Sequence, residues 1–179
     1  LRKQFASSVG RISQGFSKVV FLQGQTSTVN KLKLPPGIVF LLFGCLMFLL
    51  SRGLPFGQFD FFGRNELKWI CAALGGVIGF SAVIQFFRAR TTLDPKHPQK
   101  STELVVKGVY NFSRNPMYLG LLLFLLAWGL HLGNAFNTIL AALFVAYMNR
   151  FQIAAEEEVL EKKFGAAYRT YCTLVRRWF

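Results

Sequence analysis

Negative charge is scarce in this chain. Only 8 Asp and Glu face 21 Lys and Arg, for a net charge of +13 over 179 residues. All charged residues together make up 16% of the chain, well below the roughly one quarter usual in soluble domains. Cysteine is sparse too. Cys45, Cys71 and Cys172 stand far apart, with no metal-ligand spacing and no disulfide framework. No phosphate-binding glycine loop or nucleophilic-serine motif is found. The basic excess lies beside apolar runs with no nucleic-acid recognition motif behind it. It therefore implies anionic lipid headgroups as partners rather than nucleic acid. No obligate protein partner is expected.

Apolar residues are abundant, at 53% of the chain with 20 phenylalanines, and they are clustered. No charge occurs from Leu34 to Ser51, from Trp69 to Phe87, or from Asn115 to Asn149. The first two runs are each of single-span length. The third exceeds one span and is divided at His131-Leu-Gly-Asn134, which predicts a tight helical hairpin with Gly133 at the turn. The expected fold is an all-α integral membrane protein with about four transmembrane helices. Gly75, Gly76 and Gly79 in the second run predict close helix contact. Residues 53–67 read as a loop, and 88–115 as a polar connection broken by Pro95 and Pro98.

Residues 1–33 hold six basic and no acidic residues. Phe5, Val9, Ile12, Phe16 and Val19 recur at helical spacing. The segment reads as a basic amphipathic helix on the interface, or as an extension foreign to the native chain. It is too polar for a signal-peptide core. Residues 34–179 form the membrane domain, and 88–179 its polar, ligand-handling half. The tail from Ala154 places glutamates first and basic residues last, the order that suits a helix dipole. Its stripe of Leu160, Phe164, Tyr168, Tyr171 and Val175 either lies on the membrane or covers the hairpin.

Positive charge fixes the topology. Six Lys and Arg lie in 1–33, three in the first connection, six in 88–114, none at the hairpin tip and six in the tail. Four spans put the amino end, the central segment and the tail on one face, which the positive-inside rule makes cytoplasmic. A hairpin returns its ends to one place, so Arg114–Tyr118 should meet Arg150–Glu157. Asn115 and Pro116 are placed to open the third helix. Arg114 pairs well with a carboxylate, Glu156 and Glu157 with an ammonium or ribose hydroxyls, and Tyr110 and Tyr118 with a base or a cation. The same charges and aromatics also suit a plain interfacial anchor.

The ordered elements Leu104-Val-Val-Lys-Gly-Val-Tyr110, Ser113-Arg-Asn-Pro-Met-Tyr-Leu-Gly120, Tyr147-Met-Asn-Arg-Phe-Gln-Ile153 and Glu156-Glu157 carry a resemblance. With Phe164-Gly165, Tyr168, Tyr171 and Val175-Arg176, they make residues 35–179 similar to integral-membrane methyltransferases of the isoprenylcysteine carboxyl methyltransferase and phospholipid methyltransferase group. The likeness is greatest to bacterial members. It implies S-adenosylmethionine as cofactor and a lipid or lipophilic acceptor, in a bacterial inner membrane with both termini cytoplasmic. It also implies cofactor contacts from Glu103, Leu104, Val105, Gly108, Tyr110, Arg114, Asn115, Pro116, Tyr118 and Glu156. Asn115 stands where many relatives have histidine, and asparagine does not titrate. Gln152 stands where eukaryotic carboxyl methyltransferases have a substrate-facing arginine. Arg150 is the nearby candidate for that work, with Glu157 and Tyr118 for proton handling. A sterol-reductase-like use of NADPH and a non-catalytic membrane scaffold are the competing readings.

Overall fold

The computed structural model describes residues 34–54, 56–91 and 107–179. The proposed amphipathic helix in 1–33 and the Glu103–Val105 part of the site lie outside the described residues. Helix α1 spans Pro36–Gly53 and α2 spans Arg64–Thr91. A 3-10 turn, Gly108–Asn111, leads to α3, Pro116–Leu132. Helix α4, Asn137–Tyr147, passes into a π-helical segment, Met148–Ile153, and then into α5, Ala154–Phe164. Helix α6, Ala166–Leu174, completes the order. Among the described residues, three helical stretches are long and apolar enough to cross a membrane: Pro36–Gly53, Arg64–Gln85 and Asn137–Phe164. The fourth crossing, α3, is apolar but has only 17 residues, a length of about 26 Å. The chain is an all-α integral membrane protein with the anticipated hairpin at its centre.

Two boundaries differ from those read in the sequence. Helix α2 begins at Arg64, inside the stretch read as loop. Arg64 is held there by donating Nη1 to the Phe59 carbonyl at 2.8 Å. The tail does not start a new helix at Ala154, because α4, the π segment and α5 form one continuous rod. It breaks instead at Gly165 (φ 52°, ψ −122°), so the tail is two helices rather than one. The stripe turns inward at that break. Phe164, Tyr168, Tyr171 and Val175 form a buried cluster with Leu160 packed against it.

The hairpin turns at Gly133, whose φ of 66° is left-handed and strained for any residue with a Cβ. Asn134, buried beside it, fastens the tip to the first connection. Its Nδ2 donates to the Leu54 carbonyl at 2.9 Å and to Phe56 at 3.3 Å, while Oδ1 accepts from the Phe136 amide at 3.0 Å. The main core lies between α1, α3 and α4 and the π segment. It is built from Val39, Met47, Leu125, Phe144, Met148 and Ile153.

Helices α2 and α3 meet through bare backbone. A Cβ placed on Gly120 would lie 3.0 Å from the Gly75 carbonyl oxygen and 3.0 Å from Gly79 Cα. These contacts are to main chain, which cannot swing aside. Gly120→Val is therefore expected to lower stability by about 2 kcal/mol or more through overpacking. Thermal melting in detergent checks this, and a melting point equal to wild type would refute the close crossing.

Candidate functional site

The site forms where both ends of the hairpin return to one face. Pro116 occupies the first turn of α3, where its missing N–H is harmless. Asn115 sits at the cap position but makes no side-chain cap. Its Nδ2 donates instead to the Arg177 carbonyl at 2.9 Å, and its own amide is taken by Ser113 Oγ at 3.1 Å. The Arg114 amide donates to the Arg176 carbonyl at 3.0 Å. The last residues thus lie as a strap along 113–115. Trp178 pins the strap to the π segment by donating Nε1 to Asn149 Oδ1 at 3.0 Å.

A charged triad fills the space beneath the strap. Arg114 Nη1 lies 3.1 Å from Glu157 Oε1 and also contacts Cys172 Sγ. Arg177 grips the same carboxylate with two donors, Nε to Oε1 at 3.1 Å and Nη2 to Oε2 at 2.5 Å. The side chains of Arg114 and Glu157 are only 14% and 19% exposed, so solvent screens this pair weakly. One turn away, Tyr118 donates its hydroxyl to Glu156 Oε1 at 2.5 Å. Residues just before and in the first turn of α3 are thereby brought to residues after α4 in two separate pairs.

Tyr110 belongs to the same group. Burial pushes its phenol up to about 12, and the Glu156 carboxylate pushes in the same direction. Its carbonyl accepts the Tyr171 hydroxyl at 2.7 Å. Burial likewise raises the phenols of Tyr168 and Tyr171 above their ordinary value. The folded protein therefore keeps phenolic protons that the unfolded chain releases above about pH 10. Their stabilisation is complete below that pH and is lost as pH climbs, through about 12 for Tyr110. The melting point is expected to fall between pH 9.5 and 11.5, and to fall less in Tyr110→Phe. A melting point flat over that window would contradict the burial of these phenols.

Gly108 faces Gln85 of α2. Its φ is +65°, and a Cβ there would lie 2.6 Å from Gln85 Oε1. The backbone conformation therefore favours glycine, and a Cβ would displace the Gln85 amide. Gln85 Oε1 is buried and has no hydrogen-bond partner among the described residues, and the same holds for Arg114 Nε. An unfilled acceptor thus lies against Gly108, and an unfilled donor belongs to the arginine paired with Glu157. Arg150 does not join the group. It is exposed on the π segment and forms no hydrogen bond or ion pair among the described residues. Gln152 is buried and donates Nε2 to the Leu34 carbonyl at 2.5 Å, tying the rod to the start of α1. Sequence reasoning missed Arg177, Gln85 and Trp178. Arg177 lies 20 residues from its partner Glu157, across a chain reversal that no periodicity announces.

The fold and this cluster define an α-helical membrane protein with a polar site at one end of its hairpin. A model of the phospholipid methyltransferase family matches residues 64–167, more than half of the chain. The chain belongs to that family. Over 146 residues it is 27% identical to a protein-S-isoprenylcysteine O-methyltransferase of Schizosaccharomyces pombe, covering 73% of this chain and 61% of that one. It is 55% identical over 62 residues to an uncharacterized protein of Haemophilus influenzae, 35% of this chain and 98% of the other. It is also 39% identical over 75 residues to a Delta(14)-sterol reductase LBR of Gallus gallus, which is 40% of this chain but 12% of that protein. No solved structure matches.

Proposed function

We propose that the chain transfers a methyl group from S-adenosylmethionine to a lipid or lipophilic acceptor at the cytoplasmic membrane interface. The observation that carries this is the convergence of Tyr110, Arg114, Tyr118 and Glu156 from the two ends of the hairpin. Family membership supports the reaction class. The donor set fits the cofactor. Arg114 Nε is an unfilled donor suited to a carboxylate, and Gln85 Oε1 an unfilled acceptor suited to an ammonium or hydroxyl. Glu156, already oriented by Tyr118, adds a carboxylate for an ammonium or ribose. Glu103, Leu104, Val105, Gly108, Asn115 and Pro116 complete the proposed cofactor contacts. When bound, S-adenosylmethionine supplies an electrophilic methyl on a sulfonium.

The chain's own groups hold and align the reactants, and need form no covalent intermediate. Glu157 is held by two arginines. We assign it the work of orienting Arg114 rather than of accepting a proton. Tyr118, hydrogen-bonded to Glu156, is the better placed of the proton-handling candidates. Arg150, exposed towards the interface, is suited to an acidic group on the acceptor. Anionic headgroups would be drawn by the basic face.

Incubating the protein with labelled S-adenosylmethionine and total membrane lipid should give a labelled lipid product, reduced at least tenfold in Glu156→Ala. No labelled product from folded protein in any lipid extract would contradict the reading. A second reading is a reductase using NADPH, favoured only by the sterol-reductase likeness. It requires NADPH, and not S-adenosylmethionine, to bind.

A further inference from the structure

A second site lies at the opposite end of the hairpin from the polar cluster, the length of α3 away, about 25 Å. There α1, α2, α3 and α4 line an open-sided cleft of about 220 Å³. Its wall is apolar, formed by Met47, Leu67, Cys71, Leu126 and Leu130, with Thr138 at one side. Two asparagines also line it: Asn134, whose amide is used at the hairpin tip, and Asn137, which is 2% exposed.

The hydrogen bonds around Asn137 fix which end of its amide is unused. Ser51 donates its hydroxyl proton to the Met47 carbonyl at 2.9 Å. A hydroxyl has one proton, so towards Asn137 the Ser51 oxygen is an acceptor only. Asn137 must therefore present its Nδ2 there, and does so at 2.9 Å. That leaves Oδ1 as the outward atom. Oδ1 is buried and has no hydrogen-bond partner among the described residues. A buried carbonyl oxygen left unpaired is unfavourable, and neither Asn134 nor Thr138, the other polar residues on the wall, bonds to it.

We propose that this cavity is a binding site for a neutral lipophilic alcohol, whose chain fills the apolar wall and whose hydroxyl donates to Asn137 Oδ1. A cavity of about 150 Å³ is large enough for a benzene ring, so the space takes a ring or a short chain segment. The required partner is a donor. An ionised carboxylate, an ester or an ether carries no proton to give. The site is distinct from the methyl-transfer reading and stands whether or not that reading holds.

The test uses the full chain in lipid nanodiscs with two photoactivatable probes of equal length. One is a long-chain alcohol carrying an alkyl diazirine, and the other is its O-methyl ether. Mass spectrometry measures crosslinks at Leu67, Cys71, Leu126 and Leu130 relative to Leu41 and Leu49, which face outward on α1. The alcohol should label the cavity wall about fivefold more than the ether, the factor one net hydrogen bond provides. In Asn137→Leu the two probes should label it equally. Equal labelling in the wild-type protein would overturn the proposal, because Oδ1 would then not be reading a donor. Labelling of the wall no higher than that of the outer face of α1 would overturn it as well. The wild-type comparison decides even if Asn137→Leu fails to fold.

Discussion

Glu157→Ala is expected to lower stability by about 2–4 kcal/mol, the largest loss of any single substitution in the polar cluster. The reason is arithmetic of charge. One carboxylate bridges Arg114 and Arg177 and holds the triad at a net charge of one, so its removal leaves two like charges facing each other. Arg114 is shielded from water, and its amide holds the strap through the Arg176 carbonyl. The strap should therefore loosen. Arg177→Ala should cost less, about 1 kcal/mol, because that side chain is 38% exposed and leaves Glu157 still paired with Arg114. Melting of both variants in one detergent decides the order. A Glu157→Ala protein melting with wild type would show that the triad contributes nothing to the fold.

Glu156→Ala should act mainly on the ligand, costing only about 1 kcal/mol of stability for the lost Tyr118 hydrogen bond while weakening S-adenosylmethionine about 30- to 100-fold. That range corresponds to losing one charge-assisted contact of about 2–3 kcal/mol. Tyr118→Phe should weaken it less, about fivefold, since it removes only the hydroxyl that orients Glu156. Equilibrium dialysis with labelled cofactor measures both. Full retention of affinity in Glu156→Ala would remove Glu156 from the site, and a large drop in melting point would make it structural.

Much of this arrangement is legible in the chain because membranes impose simple rules. Long uncharged runs must be helices, and the bias of Lys and Arg orders them. That alone places Arg114 near Glu157, and Gly133 at a turn. The rest depends on tertiary contacts without local signature. Asn115 looks like a helix cap, but its amide is claimed by the Arg177 carbonyl from the far end of the chain. Gln85 hides in an apolar run, and its meaning appears only when Gly108 is set against it. The π segment follows no apolar period of its own. What marks it is polar anchoring, with Gln152 bonded to the Leu34 carbonyl and Asn149 to Trp178. Gly165 reads as a tolerated interruption, yet its positive φ ends one helix and redirects the tail inward. Glu103, Leu104 and Val105 rest on the resemblance alone.

Amide hydrogen exchange with and without S-adenosylmethionine puts the convergence of the two hairpin ends to its most direct test. Cofactor addition should slow exchange together in three places: Gly108–Asn111 with Arg114, the stretch Met148–Glu157, and the strap at Arg176–Trp178. Slowing confined to one of these, or appearing instead at the far end around Gln58 and Asn134, would mean that the two ends do not share one cofactor.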